Sequence, residues 1–403
     1  MLSRHLIPES QRSTILAEIH VNGPVSRAEL ARRLNLRPSS VSEFVRDLMA
    51  QGLLVEVGEG NPNGGRPPVL VDVDRRHNYA LGLTIEPRRV TAAVVRWDGT
   101  ILDRILVPLS ADSELAVLMG AVEEACHSLL SSAEASGDRL RGIGVGISAL
   151  VDPRANEAVF SSTLVAARRL RLDGIAERFG LPVYLEDVAY MMALGERWFV
   201  YPADKRALVL VYMGGGTCGA VLEPWAGPDD PRFAAEFGHV VVDPGGPVCG
   251  CGKRGCLEAF VSEKALLSAA ERLFGSRTGS PPSLEDVAEL ARSGDGLAKQ
   301  LVASSAEHLG VVMSNVVNIL APALMVVGGP IVDAWEDLLL PELDRCLREH
   351  SLSQLLARVE VVRSRLGADA ALMGSAARVM QAVFRAPSLE PERPESLVTN
   401  GAQ

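Results

Sequence analysis

No stretch of this chain is apolar for long enough to cross a bilayer, and Met1–Leu16 contains no apolar core of the length export requires. Cysteine is scarce: six in 403 residues, too few and too unevenly placed for the disulfide framework of a secreted domain. No repeat of solenoid period runs through the sequence. An overall positive excess is missing too. The net charge is −10, which argues against nucleic acid as a partner for the chain as a whole. These absences point to a cytoplasmic protein with no membrane partner. Its 47% hydrophobic content is enough for two or three packed domains.

The charge is unevenly spread. Residues 1–76 hold ten arginines and nine carboxylates, a net of +1, so the other 327 residues carry −11. The neutral-to-basic part has its own pattern. A first helix is expected over Ser10–Val21, with Ile15, Leu16 and Ile19 inward, ended by Gly23-Pro24. A second has Ser26 as N-cap, Glu29 placed to complete a capping box, and Val25 placed to staple Leu30. A third, about Pro38–Gln51, puts Val41, Phe44, Val45, Leu48 and Met49 on one side. Its other side offers Ser39, Ser40, Ser42, Glu43 and Arg46. Small hydroxyls followed one turn on by a guanidinium suit a helix in a DNA major groove. Glu43 could accept from a cytosine amine there, or form a local capping box with Ser40.

Two strand-like runs in Leu53–Val73 flank a Gly/Asn/Pro tip. Three helices and a hairpin in this order read as a winged helix-turn-helix, with Arg66 able to follow a minor groove. A plain hairpin with a solvated arginine is the alternative for the tip, and protein–protein contact the alternative for the module.

The acidic remainder alternates strand and helix in two similar passes. Strands are expected at Tyr79–Ile85, Val90–Trp97, Thr100–Leu109, Gly142–Ile147 and Pro182–Glu186, with helices over Asp112–Ser136 and Val188–Phe199. A second pass opens with strands at 207–215 and 218–223 and closes with 324–329 and a helix near Ala368–Ala382. That order implies an α/β fold with mixed sheets. The expected domains are 1–76, 77–200 and 201–386, with a disordered Pro/Glu/Ser-rich tail over 387–403.

Within the second pass, His239, Cys249, Cys251 and Cys256 fall inside eighteen residues, with glycines flanking the thiols. Four N/S donors are what a structural tetrahedral Zn²⁺ takes, and a closed set leaves no position for catalysis. A reduced, metal-free turn is the competing reading. Cys126, Cys218 and Cys346 are scattered singles, read as buried thiols.

This segment, Gly238-His239 followed after ten residues by C-x-C-G-x-x-G-C-x-E, resembles the zinc signature of the ROK family of sugar kinases and sugar-responsive repressors. Gly64-Gly65-Arg66-Pro67 is similar to the wing of that family's repressors. The resemblance implies an actin-like, ribonuclease-H-like two-lobe body behind the winged domain. It also implies that Glu236, His239 and Glu258 line a sugar pocket, the histidine serving metal and ligand together.

The resemblance can be followed into the kinase machinery. The family's Asn-Asp pair, whose Asp is the general base, reads Glu186-Asp187 here, which would put both residues beside the ligand. Asp187 could equally be a helix N-cap. The phosphate loop D-x-G-G-T-K is matched by Thr84 for its Asp and Glu86-Pro87-Arg88 for Gly-Gly-Thr, a poor cradle because proline has no N–H. Gly214, Gly215, Gly216 and Gly219, and Val327-Gly328-Gly329-Pro330, follow the other nucleotide motifs, though strand-end glycines can be plain turns. The S-N-x-x-x-W stretch is replaced, with Thr163 and Ala167 where Asn and Trp would stand. The chain therefore resembles a regulator that has lost kinase activity. The expected partners are a double-stranded DNA operator, a sugar-like effector and a second copy of the chain, as a homodimer or tetramer. The alternatives are a sugar kinase with an appended DNA-binding domain, and a regulator answering to a non-sugar ligand or a partner protein.

Overall fold

The computed structural model describes residues 6–61, 66–110, 113–131, 139–161, 164–204, 206–223, 234–278 and 281–385. The chain divides into two compact units, Asp74–Met380 and a smaller one joining Met1–Val73 to the residues from Gln381 on.

In the small unit, helices α1 (Leu6–Asn22), α2 (Arg27–Arg33) and α3 (Pro38–Ala50) precede a hairpin of β2 (Leu54–Glu59) and β3 (Val69–Val73). A two-residue strand β1 (Val25–Ser26) pairs with β3, giving the sheet order β1-β3-β2. Ile15, Leu16, Ile19, Leu30, Val41, Val45 and Leu48 are fully buried, so the apolar stripes read from sequence form one small core. Val25 and Leu30 are both buried, as the staple requires. Ser26 caps α2 by accepting from the Glu29 N–H at 3.2 Å. The reciprocal half of that capping box is replaced, because the Glu29 carboxylate accepts from Arg32 and Arg33 on its own helix. Those two guanidiniums hold Glu29 below the usual carboxylate range.

The large unit opens with a meander, β4 (Tyr79–Glu86), β5 (Arg89–Arg96) and β6 (Ile101–Pro108), then α4 (Leu115–Leu130) and β7 (Leu140–Ile147). A small antiparallel sheet of β8 (Leu150–Asp152), β9 (Glu157–Phe160) and β10 (Leu170–Arg171) follows, which sequence reading left unassigned. Then come α5 (Asp173–Phe179), β11 (Val183–Asp187) and α6 (Val188–Gly195). The second lobe runs β12 (Leu208–Met213), β13 (Thr217–Leu222), β14 (Ala234–Ala235), α7 (Glu258–Val261), α8 (Glu263–Thr278), α9 (Leu284–Arg292) and α10 (Gly296–Leu320). It closes with β15 (Leu324–Gly328), α11 (Pro330–His350), α12 (Ser353–Leu356), β16 (Glu360–Arg363) and α13 (Ala370–Arg385).

The two large sheets have orders β11-β7-β4-β5-β6 and β14-β13-β12-β15-β16. Each is a three-strand meander whose first strand also pairs in parallel with the fourth, and the fourth with the fifth. One plan is used twice. The inner parallel strands β7 and β15 are almost wholly buried, matching their continuous apolar runs, whereas the edge strand β16 is not.

Between the lobes, α13 lies hard against the first sheet. A side-chain carbon at Gly144 would stand 1.8 Å from the backbone oxygen of Ser375, so only glycine admits the helix. The Ser375 hydroxyl donates to the Leu83 carbonyl at 2.9 Å, tying helix to strand. Gly144→Ala is expected to lower unfolding free energy by about 3 kcal/mol or more, the upper end for overpacking a core. Urea denaturation would check it, and an unchanged midpoint would show that α13 yields.

The helix expected over Val188–Phe199 stops at Gly195 and continues as a π-helical turn over Glu196–Val200. Glu196 is fully buried there, and its Oε1 accepts from Ser364 Oγ (2.5 Å) and from the Arg365 and Leu366 amides (2.9 and 3.1 Å). A carboxylate of the first lobe thus holds the end of β16 in the second. The expected tail over 387–403 lies outside the described residues.

Candidate functional site

The segment after β14 folds into a loop that turns back on itself through the isolated bridges Val241–Cys256 and Val248–Arg254. The Cys249 N–H donates to Lys253 O, and the Gly255 N–H to Pro247 O, at 2.8 and 2.9 Å. Gly255 has φ +72° and a side chain there would overlap the Asp243 carbonyl at 1.5 Å, so the tight fold depends on glycine. These turns bring His239, Cys249, Cys251 and Cys256 together, with one donor atom from each lying within 4.8 Å of every other. Cys249 Sγ is 3.7 Å from His239 Nδ1, and Cys251 Sγ is 3.8 Å from Cys256 Sγ. A tetrahedral ion with sulfur at about 2.3 Å and nitrogen at about 2.0 Å separates its donors by roughly 3.5–3.8 Å, so the residues fit one.

Burial pushes the Cys249 thiol up to about 12 and raises Cys256, whereas a backbone N–H from Lys253 lowers Cys251. Without a cation Cys249 and Cys256 resist becoming thiolates, and a coordinated ion would reverse that. The imidazole is shared: with Nδ1 turned to the thiols, Nε2 stands 3.9 Å from Glu236 Oε2. Glu258 is shared as well. Its Oε1 is 3.7 Å from Cys249 Sγ, and its Oε2 accepts the Thr217 N–H at 3.0 Å, joining the cysteine loop to the start of β13.

Asp187 ends β11, on the other lobe, at the carboxyl edge where open α/β sheets place their ligands. It is the N-cap of α6, Oδ1 accepting from Ala189 N (2.7 Å) and Tyr190 N (3.4 Å). Burial pushes its carboxyl up to about 7, and the charges of Glu236 and Glu186 add to the shift. On β13, burial raises the Cys218 thiol, and the charges of Asp187, Glu236 and Glu258 add to that shift. Cys218 was missed as a site residue because a lone cysteine in an apolar strand looks like filler. Its place directly after the Gly214–Thr217 turn was the available signal.

Glu186 goes elsewhere. Successive strand residues face opposite ways, and Arg378 Nε on α13 donates to Glu186 Oε1 at 3.1 Å while its guanidinium stacks over Tyr184. This buried ion pair takes Glu186 out of the set assigned to the ligand.

The two nucleotide-motif loops are now visible as hairpins. Glu86 pairs with Arg89 across the β4–β5 turn, and their side chains form an ion pair around Pro87 and Arg88. The charges of this hairpin reach Tyr212 on β12, whose hydroxyl burial pushes up to about 12. Gly214–Gly216 close the β12–β13 turn with Gly214 N donating to Gly216 O at 2.9 Å. Ala167 is buried in the first-lobe core, and Thr163 lies outside the described residues.

On α3, Ser39, Ser42, Glu43 and Arg46 are exposed and Ser40 half-buried. The N-cap is Arg37, with Pro38 at the first turn, so Ser40 is inside the helix and its capping box with Glu43 does not form. Arg46 has 73% of its side chain exposed, 3.7 Å from Asp47, and Ser42 donates to Pro38 O at 2.9 Å. Arg66 is exposed at the edge of the wing, while Gly64 and Gly65 lie outside the described residues.

A winged helix-turn-helix before an actin-like body of paired five-stranded sheets, with a His/Cys₃ loop after β14, defines a ROK-type protein. Residues 81–382 match the ROK family and residues 9–67 the MarR family. The chain belongs to the ROK family and carries a MarR-type DNA-binding module. Among its relatives, the xylose repressor of Bacillus spizizenii (strain ATCC 23059 / NRRL B-14472 / W23) is 26% identical over 379 residues, 93% of this chain and 96% of that one. The N-acetylglucosamine repressor of Escherichia coli O157:H7 is 25% identical over 387 residues, 94% of each. A solved ROK family transcriptional regulator, a homolog of the E. coli MLC protein, superposes with TM-score 0.78 at 24% identity, covering 94% of this chain and 97% of that one. A ROK family glucokinase from Streptomyces griseus, solved with glucose and AMPPNP, gives TM-score 0.62 at 26% identity, covering 74% and 98%. Among the described residues no helix is long and apolar enough to cross a membrane.

Proposed function

We propose that this protein is a transcriptional repressor of sugar-related genes, in which a cleft between the two lobes binds the effector and a Zn²⁺ ion holds the cleft's second-lobe wall. The observation that carries this reading is the pairing of a MarR-type module with a ROK body whose first phosphate hairpin is closed by Pro87 and the Glu86–Arg89 pair. Such a hairpin offers phosphates a carboxylate where glycine amides would be needed, so the body senses rather than phosphorylates. His239, Cys249, Cys251 and Cys256 hold the ion. Asp187, Glu236, His239 and Glu258 meet the ligand's hydroxyls.

Ser39, Ser40, Ser42, Glu43 and Arg46 on α3 read the operator's major groove, and Arg66 enters the minor groove. The repressor acts as a homodimer or tetramer, because one winged module buries too little surface for operator-level affinity. The effector shifts DNA binding only by its differential affinity for the two states of the body.

Gel-shift titration with the region upstream of its own gene tests the DNA half. Arg46→Ala and Arg66→Ala are each expected to weaken binding by about tenfold, the usual loss for one groove contact. Wild-type affinity in both variants would remove the groove assignment. A kinase remains the second reading because Asp187 is present. ATP-dependent ADP release with a sugar, abolished by Asp187→Asn, would establish it instead.

A further inference from the structure

Of the six cysteines, Cys251 is the exposed one; Cys126, Cys249, Cys256 and Cys346 are buried and Cys218 is half-buried. It sits in a tight turn between Gly250 and Gly252, where the Gly252 N–H donates to Cys249 O at 2.9 Å. Both glycines are exposed, and a side-chain carbon at either would meet nothing within 4 Å. Gly252 has φ +85°, so the turn swings the thiol outward on backbone that nothing packs against. Lys253 and Arg254 are exposed next along the loop, the kind of surroundings in which cysteines react. Beneath this open turn lies a second sulfur. Cys256 is fully buried, and its Sγ is 3.8 Å from that of Cys251. A disulfide places its sulfurs about 2.05 Å apart, so closing this pair takes less than about 2 Å of movement. The unpacked glycines supply that freedom.

We infer that Cys251 and Cys256 are an oxidation site, at which a peroxide joins the two sulfurs and so makes the cluster release its ion. This rests on the zinc reading given above and adds a way of undoing it. The Cys251 thiolate attacks one peroxide oxygen. An S–O bond forms, the O–O bond breaks, and the other oxygen leaves as hydroxide, with Cys251 now a sulfenic acid. The Cys256 thiolate then attacks the Cys251 sulfur. An S–S bond forms, the S–O bond breaks, and a second hydroxide leaves. The two thiolates give up two electrons, the peroxide takes both, and solvent protons turn the hydroxides into water. What remains of the cluster is His239 and Cys249, two donors where a closed site needs four. Cys249 Sγ is 3.7 Å from both His239 Nδ1 and Glu258 Oε1, so the disturbance passes directly to residues outside the disulfide.

The test treats the full-length protein, purified with its metal and freed of reductant, with a small excess of hydrogen peroxide. Peptide mapping after alkylation of the remaining thiols is expected to show a Cys251–Cys256 disulfide. Zinc in solution, read with a colorimetric chelator, is expected to rise in step to about one equivalent per chain. In the same sample Cys126 and Cys346 are expected to oxidise at least about tenfold more slowly, because buried structural thiols are inert. Dithiothreitol with added Zn²⁺ should restore both free thiols and bound metal. Peroxide that oxidises other thiols first, or that joins Cys251 to Cys249 instead, would overturn the inference and leave the zinc reading standing. Zinc retained by the disulfide-bonded chain would overturn it as well. A chain that carries no zinc before treatment would remove the zinc reading and the release step with it, and the thiol map would then decide the pair by itself.

Discussion

Stripping the metal with a chelator, or substituting Cys251→Ser, is expected to lower the melting temperature by about 5 °C, the shift that a local loss of about 3 kcal/mol gives in a body of this size. Isolated zinc modules unfold completely without their ion, but this loop is seated on a large independent core, so the loss is confined. The damage spreads along identifiable contacts. Phe260 packs on the loop beside Gly246 and stacks on His308 of α10, with ring centroids 4.3 Å apart. Glu258 holds the start of β13. Elemental analysis of protein purified without added metal is expected to give about one zinc per chain. Re-adding Zn²⁺ should restore the melting temperature. A chain that carries no metal, and melts identically with and without chelator, would dismiss the assignment.

The second large effect concerns pH. Asp187 carries a carboxyl pushed up to about 7, chiefly by burial. An acid with a raised native value binds its proton more tightly folded than unfolded. Stability therefore falls as pH rises from the ordinary carboxylate range through about 7, and the penalty is constant above that. A shift of about three pH units corresponds to a penalty on the order of 4 kcal/mol. Asp187→Asn removes it while keeping a good N-cap. The variant is expected to be more stable than wild type at pH 8 by a few kcal/mol and nearly equal to it at pH 4. Urea midpoints at the two pH values would decide. Equal gains at both would mean that burial strain, not charge, is what the substitution relieves.

The sequence made some of this plain and hid the rest for physical reasons. Elements with a clear period were legible: the inward stripe of α3, the Ser26 cap and the buried strands β4, β5 and β7 all match their sequence patterns. The cluster of His239 with Cys249, Cys251 and Cys256 was legible because the four are crowded into one local segment, which forces them together. Glu186 was misjudged because its partner, Arg378, is 192 residues away. Local text cannot reveal such a pair, although strand alternation alone separates Glu186 from Asp187. The capping box at Glu29 failed in a similar way, since two arginines on the same helix competed for the carboxylate. The small sheet β8–β10 was missed because its strands are only two to four residues long, too short to show a period.

One ring has two neighbours in this protein. His239 faces Cys249 with one nitrogen and Glu236 with the other, so its orientation is common property. On the proposed reading, moving that imidazole to suit another effector would loosen the grip on the ion, and discarding the ion would alter the taste in ligands.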